Sequence, residues 1–512
     1  MNVPTDNSSA ANPGFRRKIL SGVGWSASST AVTMAVRFAQ MLVVARLLPP
    51  GEVGLYALSN LVLGFVSIFA DAGVTQGIIA RRETDRKVLS SLFWTNTLMA
   101  LAVAVVLIGA APLVADFYQQ PRLVTPLTWI SSTFLAFALG QPFQALLQRE
   151  LNFRAIALAE TVATVTGAIC SIALTIMGQG VDGLVLGQIV YAVLRSVMIG
   201  VAGSAHFRPH LHLRFAEAAP SVKFGLYQVG DRLMNYFNTR LDQMLIGYFA
   251  GPAALGLYSL AWSLVVDPVY RLNPIVTNVA FPVFAQKQDD RAALKRGFFG
   301  VTKTLTAINA PILAGMAGAA AIFVPLALGP RWQQAIPLMA ILAWVGLVRS
   351  ICNPTGSLVM GVGRPDLSFR WTMIQSAVQL PLYAVLLYEF GLIKATFFLA
   401  CFMTLVLPAI YLVMVRRVLG PCWRAYTANF LPPTAAAVAM GAGVALFGDL
   451  TRNALPHGLI FALQILLGLT FYMLVFSLIR PGEARAAFAF IRNKLRRSAS
   501  SAIPVQVLAR NP

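Results

Sequence analysis

Arginine and lysine stand where a bilayer tolerates them least. Arg37, Arg195, Arg232, Arg240, Arg271, Lys303 and Arg349 fall inside long apolar stretches, together with Asp71, Glu160, Asp231, Asp242 and Asp267. A charge at mid-bilayer costs roughly 2.5 to 3.5 kcal/mol even on lenient insertion scales, so such side chains face water, one another or a ligand. Fixed cations in a low-dielectric cavity can hold an anionic ligand. The candidates for that task are Arg37, Arg240 and Arg271, with Arg232 and Lys303 as further contacts. Asp71, Asp231, Asp242 and Asp267 are candidates for coupling to an ion or for pairing with those arginines. Arg195 and Arg349 lie nearer the ends of their stretches and read as snorkelling residues.

The elements that position these charges follow from composition. Of 512 residues, 57% are hydrophobic and only 12% charged, and mean hydropathy is +0.70. An ordinary soluble domain carries roughly 25% charged residues, so the natural solvent for most of this chain is lipid. With Pro, Gly and charge clusters as punctuation, the sequence predicts an all-α polytopic membrane protein of about fourteen spans, each of about 20 residues. They fall near 22–46, 53–78, 90–116, 123–147, 155–177, 183–203, 222–249, 254–284, 297–328, 334–360, 366–389, 395–415, 425–447 and 457–479. The first span, with its serines and Arg37, reads as retained rather than as a cleaved leader.

The chain carries 40 Lys+Arg against 19 Asp+Glu, a net charge of +21. Their distribution explains the excess. Basic residues crowd alternate loops, at Arg16 to Lys18, Arg81 to Lys87, Arg149 and Arg154, Arg208 to Lys223, Lys287 to Arg296, Arg364 and Arg370, Arg416 to Arg424, and the tail beyond Arg480. The opposing loops hold Arg46, Arg122, Arg331, Lys394 and Arg452. By the positive-inside rule this alternation supports an even span count, places both termini in the cytoplasm and leaves no need for a nucleic-acid partner. Every opposing loop is short, so no folded domain stands outside the lipid.

An internal repeat organises the spans. Arg37-Phe38-Ala39-Gln40-Met41-Leu42 matches Arg240-Leu241-Asp242-Gln243-Met244-Leu245, and Gly54-Leu55-Tyr56-Ala57-Leu58 matches Gly256-Leu257-Tyr258-Ser259-Leu260. Six spans separate the copies, so both run in the same direction, as in parallel repeats that flank a cavity. The predicted plan is two parallel six-helix lobes around a central cavity plus two C-terminal helices. Its parts are a disordered cytoplasmic tail (1–18), an N-lobe (19–203), an inter-lobe loop (204–221), a C-lobe (222–415), spans thirteen and fourteen (416–480) and a basic cytoplasmic tail (481–512). Span seven is the most polar, with Gln228, Asp231, Arg232, Asn235, Asn238, Thr239, Arg240, Asp242 and Gln243, and is predicted to line water. Pro268, Pro274, Pro282 and Pro311 offer kinks in spans eight and nine.

Enzyme chemistry finds no support. The sequence has no Walker A motif and no nucleophile beside a base. His206, His210 and His212 lack partner carboxylates or thiols, so no metal and no cofactor are expected. Cys170, Cys352, Cys401 and Cys422 read as buried free thiols.

Three stretches carry a resemblance: Gly22-Val23-Gly24-Trp25-Ser26, the run Arg46-Leu47-Leu48-Pro49-Pro50-Gly51-Glu52-Val53-Gly54-Leu55-Tyr56-Ala57, and Phe69-Ala70-Asp71-Ala72-Gly73-Val74-Thr75-Gln76-Gly77-Ile78-Ile79. The chain resembles bacterial polysaccharide transporters of the multidrug/oligosaccharidyl-lipid/polysaccharide exporter superfamily, closest in look to the colanic-acid exporter type of lipid-linked oligosaccharide flippase. The resemblance implies translocation of undecaprenyl-diphosphate-linked oligosaccharide repeat units across the bacterial inner membrane by alternating access, for exopolysaccharide, O-antigen or capsule synthesis. It also implies a coupling ion, H+ or Na+, contact with membrane lipids, and a polysaccharide polymerase and chain-length regulator as partners. The alternatives are a cation-coupled multidrug exporter of the same superfamily, whose cavity should be richer in carboxylates, and a peptidoglycan-precursor flippase.

Overall fold

The computed structural model describes residues 13–70, 86–205 and 207–479. Asp71, His206 and the basic tail 481–512 lie outside them. Among the described residues there are helices and no strands. The long ones are α1 (Pro13–Leu47), α2 (Pro50–Ala70), α3 (Arg86–Phe117), α4 (Ser132–Arg149), α5 (Phe153–Ile176), α6 (Gly180–Ser204), α7 (Phe215–Phe249), α8 (Gly251–Gln286), α9 (Arg291–Phe323), α10 (Ala335–Gly361), α11 (Pro365–Ile410), α12 (Trp423–Thr451) and α13 (His457–Ile479). Helix α1 starts at Pro13, inside the stretch expected as a tail, and α7 starts at Phe215, inside the expected inter-lobe loop.

Local chemistry sets the helix ends. Pro50 and Pro365 open α2 and α11, where a missing N–H costs no hydrogen bond. Asn152 caps α5 by accepting from the Ala155 N–H at 3.4 Å. Asp290 caps α9 by accepting from the Ala292 and Ala293 N–H groups at 3.0 and 2.9 Å. Those N–H groups, Ala293 foremost, hold the Asp290 carboxyl below the usual carboxylate range.

Twelve described helices are long and apolar enough to cross a membrane. The expected fourteen spans are not reached on that criterion, for two physical reasons. Helix α7 is too polar to qualify, and Pro365–Leu419 counts once although it runs for 55 residues, about 80 Å of helix at 1.5 Å per residue and far more than one bilayer core. Gly391 interrupts α11 at φ 74°, ψ 178°, a left-handed backbone that glycine adopts without a Cβ penalty.

The chain forms two compact units. The first comprises residues up to Leu260 with Ala327–Trp332 and Leu380–Ala395; the second comprises Ala261–Leu326, Gln333–Gln379 and the chain from Thr396 on. Within the first unit, Leu92, Phe93, Leu146, Leu147, Ile199 and Phe207 form a core. The Trp332 indole N–H donates to the Ala45 carbonyl at 2.6 Å, and the Arg46 Nε donates to the Ala327 carbonyl at 2.8 Å, tying Ala327–Trp332 into this unit. Within the second, Val359, Leu367, Val406, Ile410 and Met414 pack together. The outer faces of both are apolar: Val106, Leu113 and Val201 in the first and Leu405, Leu450 and Leu478 in the second are about 70% exposed. Lipid solvates such faces at no cost, whereas water would drive them to aggregate. The four cysteines are free thiols; Cys401 is exposed on the outer face, and the other three are half-buried rather than buried as expected.

The sequence repeat has a structural counterpart inside the first unit. A Cβ on Gly54 would fall on the Pro252 carbonyl, and a Cβ on Gly256 would fall on the Pro50 carbonyl. Repeat mates therefore make reciprocal contacts where the first turns of α2 and α8 cross. Because each obstacle is backbone, no side chain can swing aside. Gly54→Ala is expected to destabilise the protein by about 1 to 3 kcal/mol, as overpacking does, and Gly256→Ala by a similar amount. Thermal unfolding of the purified protein in detergent checks both.

Candidate functional site

Charge gathers in the first unit around one carboxylate. Glu160, on α5, accepts from the Arg195 Nε at 2.7 Å and from the Tyr191 hydroxyl at 2.8 Å, both on α6. The Arg37 Nη2, from α1, stands 3.7 Å from the same carboxylate, and the Arg37 guanidinium lies 5.4 Å from the Tyr191 ring centre. Arg195 also donates to the Gln144 Oε1 at 2.9 Å on α4 and covers the Phe137 ring at 5.8 Å.

The two arginines differ in kind. Arg195 is 13% exposed and its hydrogen bonds are short, whereas Arg37 is 51% exposed and held loosely. Among the described residues, two guanidinium groups share this one carboxylate, which leaves one positive charge unmatched among membrane-type helices. Arg195 is thus not a snorkelling residue: its head group turns inward to Glu160 and Gln144. Phe137 also lines a cavity of about 330 Å³ between α2, α3 and α4, whose polar wall includes Asn60, Ser67 and Gln141.

Along α7, Arg240 donates to the Gln243 Oε1 at 3.2 Å. It does not pair with Asp242. That carboxylate is buried and accepts instead from the Tyr258 hydroxyl at 2.7 Å and from the Gln243 N–H at 2.8 Å. Tyr236, one turn before Arg240, donates to the Leu61 carbonyl at 2.5 Å. Arg232 is half-buried on the same helix, and the Asp231 side chain lies outside the described ones.

In the second unit, Arg271 is exposed on α8, and Asp267 on α8 and Lys303 on α9 are half-buried. Arg349 is half-buried: its Nη1 donates to the exposed Tyr270 hydroxyl at 2.6 Å, and its guanidinium lies 5.0 Å from the ring centre of buried Trp262. Beside it is a buried neutral knot. The Asn309 amide donates to the Asn273 Oδ1 at 2.8 Å and to the Ser350 Oγ at 2.7 Å. Among the described residues, no group of three or more His, Cys, Asp or Glu side chains could hold a metal ion.

The structure therefore brings Arg37, Arg232 and Arg240 into one unit and Arg271 and Lys303 into the other. The sequence named Glu160 and Arg195 without joining them. A usable signal was present, because Glu160 lies 16 residues before the end of α5 and Arg195 lies 15 after the start of α6. Residues equidistant from a tight turn between antiparallel helices sit at one depth.

Comparison with known proteins agrees with this architecture. Residues 43–337 match the family described as "Polysaccharide biosynthesis protein". The chain is 32% identical over 421 residues to the lipopolysaccharide biosynthesis protein WzxC of Escherichia coli, covering 82% of this chain and 85% of that protein. It is 31% identical to the teichuronic acid biosynthesis protein TuaB of Bacillus subtilis, covering 70% of this chain and 74% of that one. Among solved structures, the lipid II flippase MurJ in an inward closed conformation superposes with a TM-score of 0.71 at 13% identity, covering 89% of this chain and 99% of that one. An inward-facing multidrug resistance MATE transporter follows at 0.53 and 15%, covering 74% and 95%. At such identities these two speak for the fold alone. The family match spans more than half of the sequence and the WzxC alignment covers most of both chains: this multi-pass membrane protein belongs to the polysaccharide biosynthesis protein family.

Proposed function

We propose that this chain is a flippase carrying undecaprenyl-diphosphate-linked oligosaccharide repeat units from the cytoplasmic to the periplasmic leaflet of the bacterial inner membrane. Relatives named for polysaccharide biosynthesis and transport support the role; the succinoglycan biosynthesis transport protein ExoT of Rhizobium meliloti is 24% identical over 360 residues. The observation that carries the substrate class is the surplus cation beside Glu160. A lipid-linked diphosphate is the anion such a site can stabilise, with its polyprenyl tail left in the bilayer. A drug-cation exporter needs the opposite sign.

In this reading Arg37, Arg240 and Arg271, with Arg232 and Lys303, meet the diphosphate or acidic sugars. Asp71, Asp231, Asp242 and Asp267 serve ion coupling or pairing, and H+ or Na+ drives the cycle. The lobes 19–203 and 222–415 rock against each other, with spans 416–480 attached and both termini in the cytoplasm. A polymerase and a chain-length regulator act on the product outside.

Deletion of the gene tests the proposal. Surface polymer is expected to disappear while complete repeat units accumulate on undecaprenyl diphosphate in the inner membrane, facing the cytoplasm. Unchanged polymer with increased sensitivity to cationic drugs would overturn it.

A further inference from the structure

At one end of the second unit, α9, α11 and α12 line an open hollow of about 820 Å³, within the size range of sites that take small organic ligands. Three cations line it: half-buried Lys295 on α9, and exposed Arg416 and Arg424 on either side of the turn between α11 and α12. Among the described residues, no acidic side chain lines the cavity. Among the described residues, none of the three cations is paired with a carboxylate. Asp290 stands at the same end of α9, but its carboxylate is committed to the Ala292 and Ala293 N–H groups.

The rest of the wall is apolar and aromatic, with Phe299, Leu412 and Trp423 among its members. Tyr411 backs this wall: its hydroxyl accepts from the Cys422 N–H at 2.7 Å, and its ring meets Trp423 edge-on at 4.8 Å. Pro408 cannot donate to the preceding turn, and the chain then widens into a π-helical turn over Tyr411–Val415. Burial pushes the Cys422 thiol up from its ordinary value. The cavity lies where two membrane-type helices end, at the level where tryptophan and tyrosine meet lipid head groups.

We propose that this cavity binds an anionic phospholipid. Lys295, Arg416 and Arg424 hold the head-group phosphate, and an acyl chain lies along Leu412 and Trp423. Topology alone explains why this end is basic, but not why three uncompensated cations ring an apolar hollow. Basic hollows between membrane helices suit anionic head groups. A free phosphate ion would use the cations and leave the apolar wall idle.

The test is thermal unfolding of the purified full chain in detergent, with phosphatidylglycerol, phosphatidylcholine or inorganic phosphate added. Phosphatidylglycerol is expected to raise the unfolding midpoint saturably by at least about 3 °C, since a ligand bound only by the native state stabilises it. The Lys295→Gln/Arg416→Gln/Arg424→Gln variant should lose most of that rise. Lys87→Gln/Arg154→Gln, which removes charge from the first unit, should keep it. Should the triple variant fail to fold, Arg424→Gln alone changes one exposed side chain and is expected to at least halve the apparent affinity. An equal rise in wild type and pocket variants would overturn the proposal. So would an equal rise with phosphatidylcholine, or one matched by inorganic phosphate. No transport is read, so the outcome is independent of the proposed flippase activity.

Discussion

The Arg37→Ala/Arg240→Ala double variant is expected to reach the membrane in normal amount and to export polymer at least about tenfold more slowly than the wild type. Neither side chain does much to hold the fold. Arg37 is half exposed and 3.7 Å from Glu160, whose shorter bonds go to Arg195 and Tyr191. Among the described residues, Arg240 makes a single 3.2 Å bond, to Gln243. If both meet the diphosphate, each loses a charge-assisted hydrogen bond worth about 1.5 to 3 kcal/mol, and about 1.4 kcal/mol is a factor of ten. Surface polymer per unit of membrane-embedded protein is the quantity to measure. Normal export by a normally expressed double variant removes these two arginines from the substrate path.

Glu160→Ala is expected to act on stability instead, lowering it by about 3 kcal/mol, the low end of the cost of leaving a buried charge unpartnered. Arg195 then remains 13% exposed between Gln144 and Phe137 with no anion to balance it, and Arg37 adds like charge nearby. Glu160→Gln keeps an acceptor for the Tyr191 hydroxyl and should lose less. Glu160→Leu/Arg195→Met removes both charges and should recover most of the loss, because an apolar pair avoids the desolvation cost. Unfolding midpoints of the purified variants decide this. An unchanged midpoint for Glu160→Ala would show that the carboxylate does not hold these helices together.

The contrast between Arg37 and Arg195 also marks what could be read in advance. Both were visible as cations within apolar stretches, and the cost of charge in hydrocarbon made each of them notable. Distance from the segment ends suggested that Arg195 snorkels, yet it points inward. Whether a long side chain runs toward the interface or the bundle depends on which helix face it occupies and what lies opposite. Neighbouring helices decide both, and their contacts are not encoded in any local pattern.

Span counting met a similar limit. Hydropathy located the helices closely, but α7 is polar enough to fall below the threshold for a span, and Gly391 breaks α11 without ending the apolar run. The repeat was legible because Gly54 and Gly256 share a register with their flanking residues. That the mates touch each other's proline carbonyls was not, since one-dimensional periodicity carries no information about which copies of a motif come together.

The amino-acid sequence by itself determined the solvent of this protein, its all-helical class, the approximate helix boundaries and the list of charges that lipid would not tolerate. These depend on composition and on short-range periodicity along the chain. Only the tertiary structure decided what each charge meets: Glu160 meets Arg195 and Arg37, Asp242 meets the neutral Tyr258 hydroxyl rather than Arg240, and Lys295, Arg416 and Arg424 line a hollow with no acid among the described residues. Pairing depends on distances between helices far apart in sequence, and at low dielectric a few ångströms separate a satisfied charge from one left for a ligand.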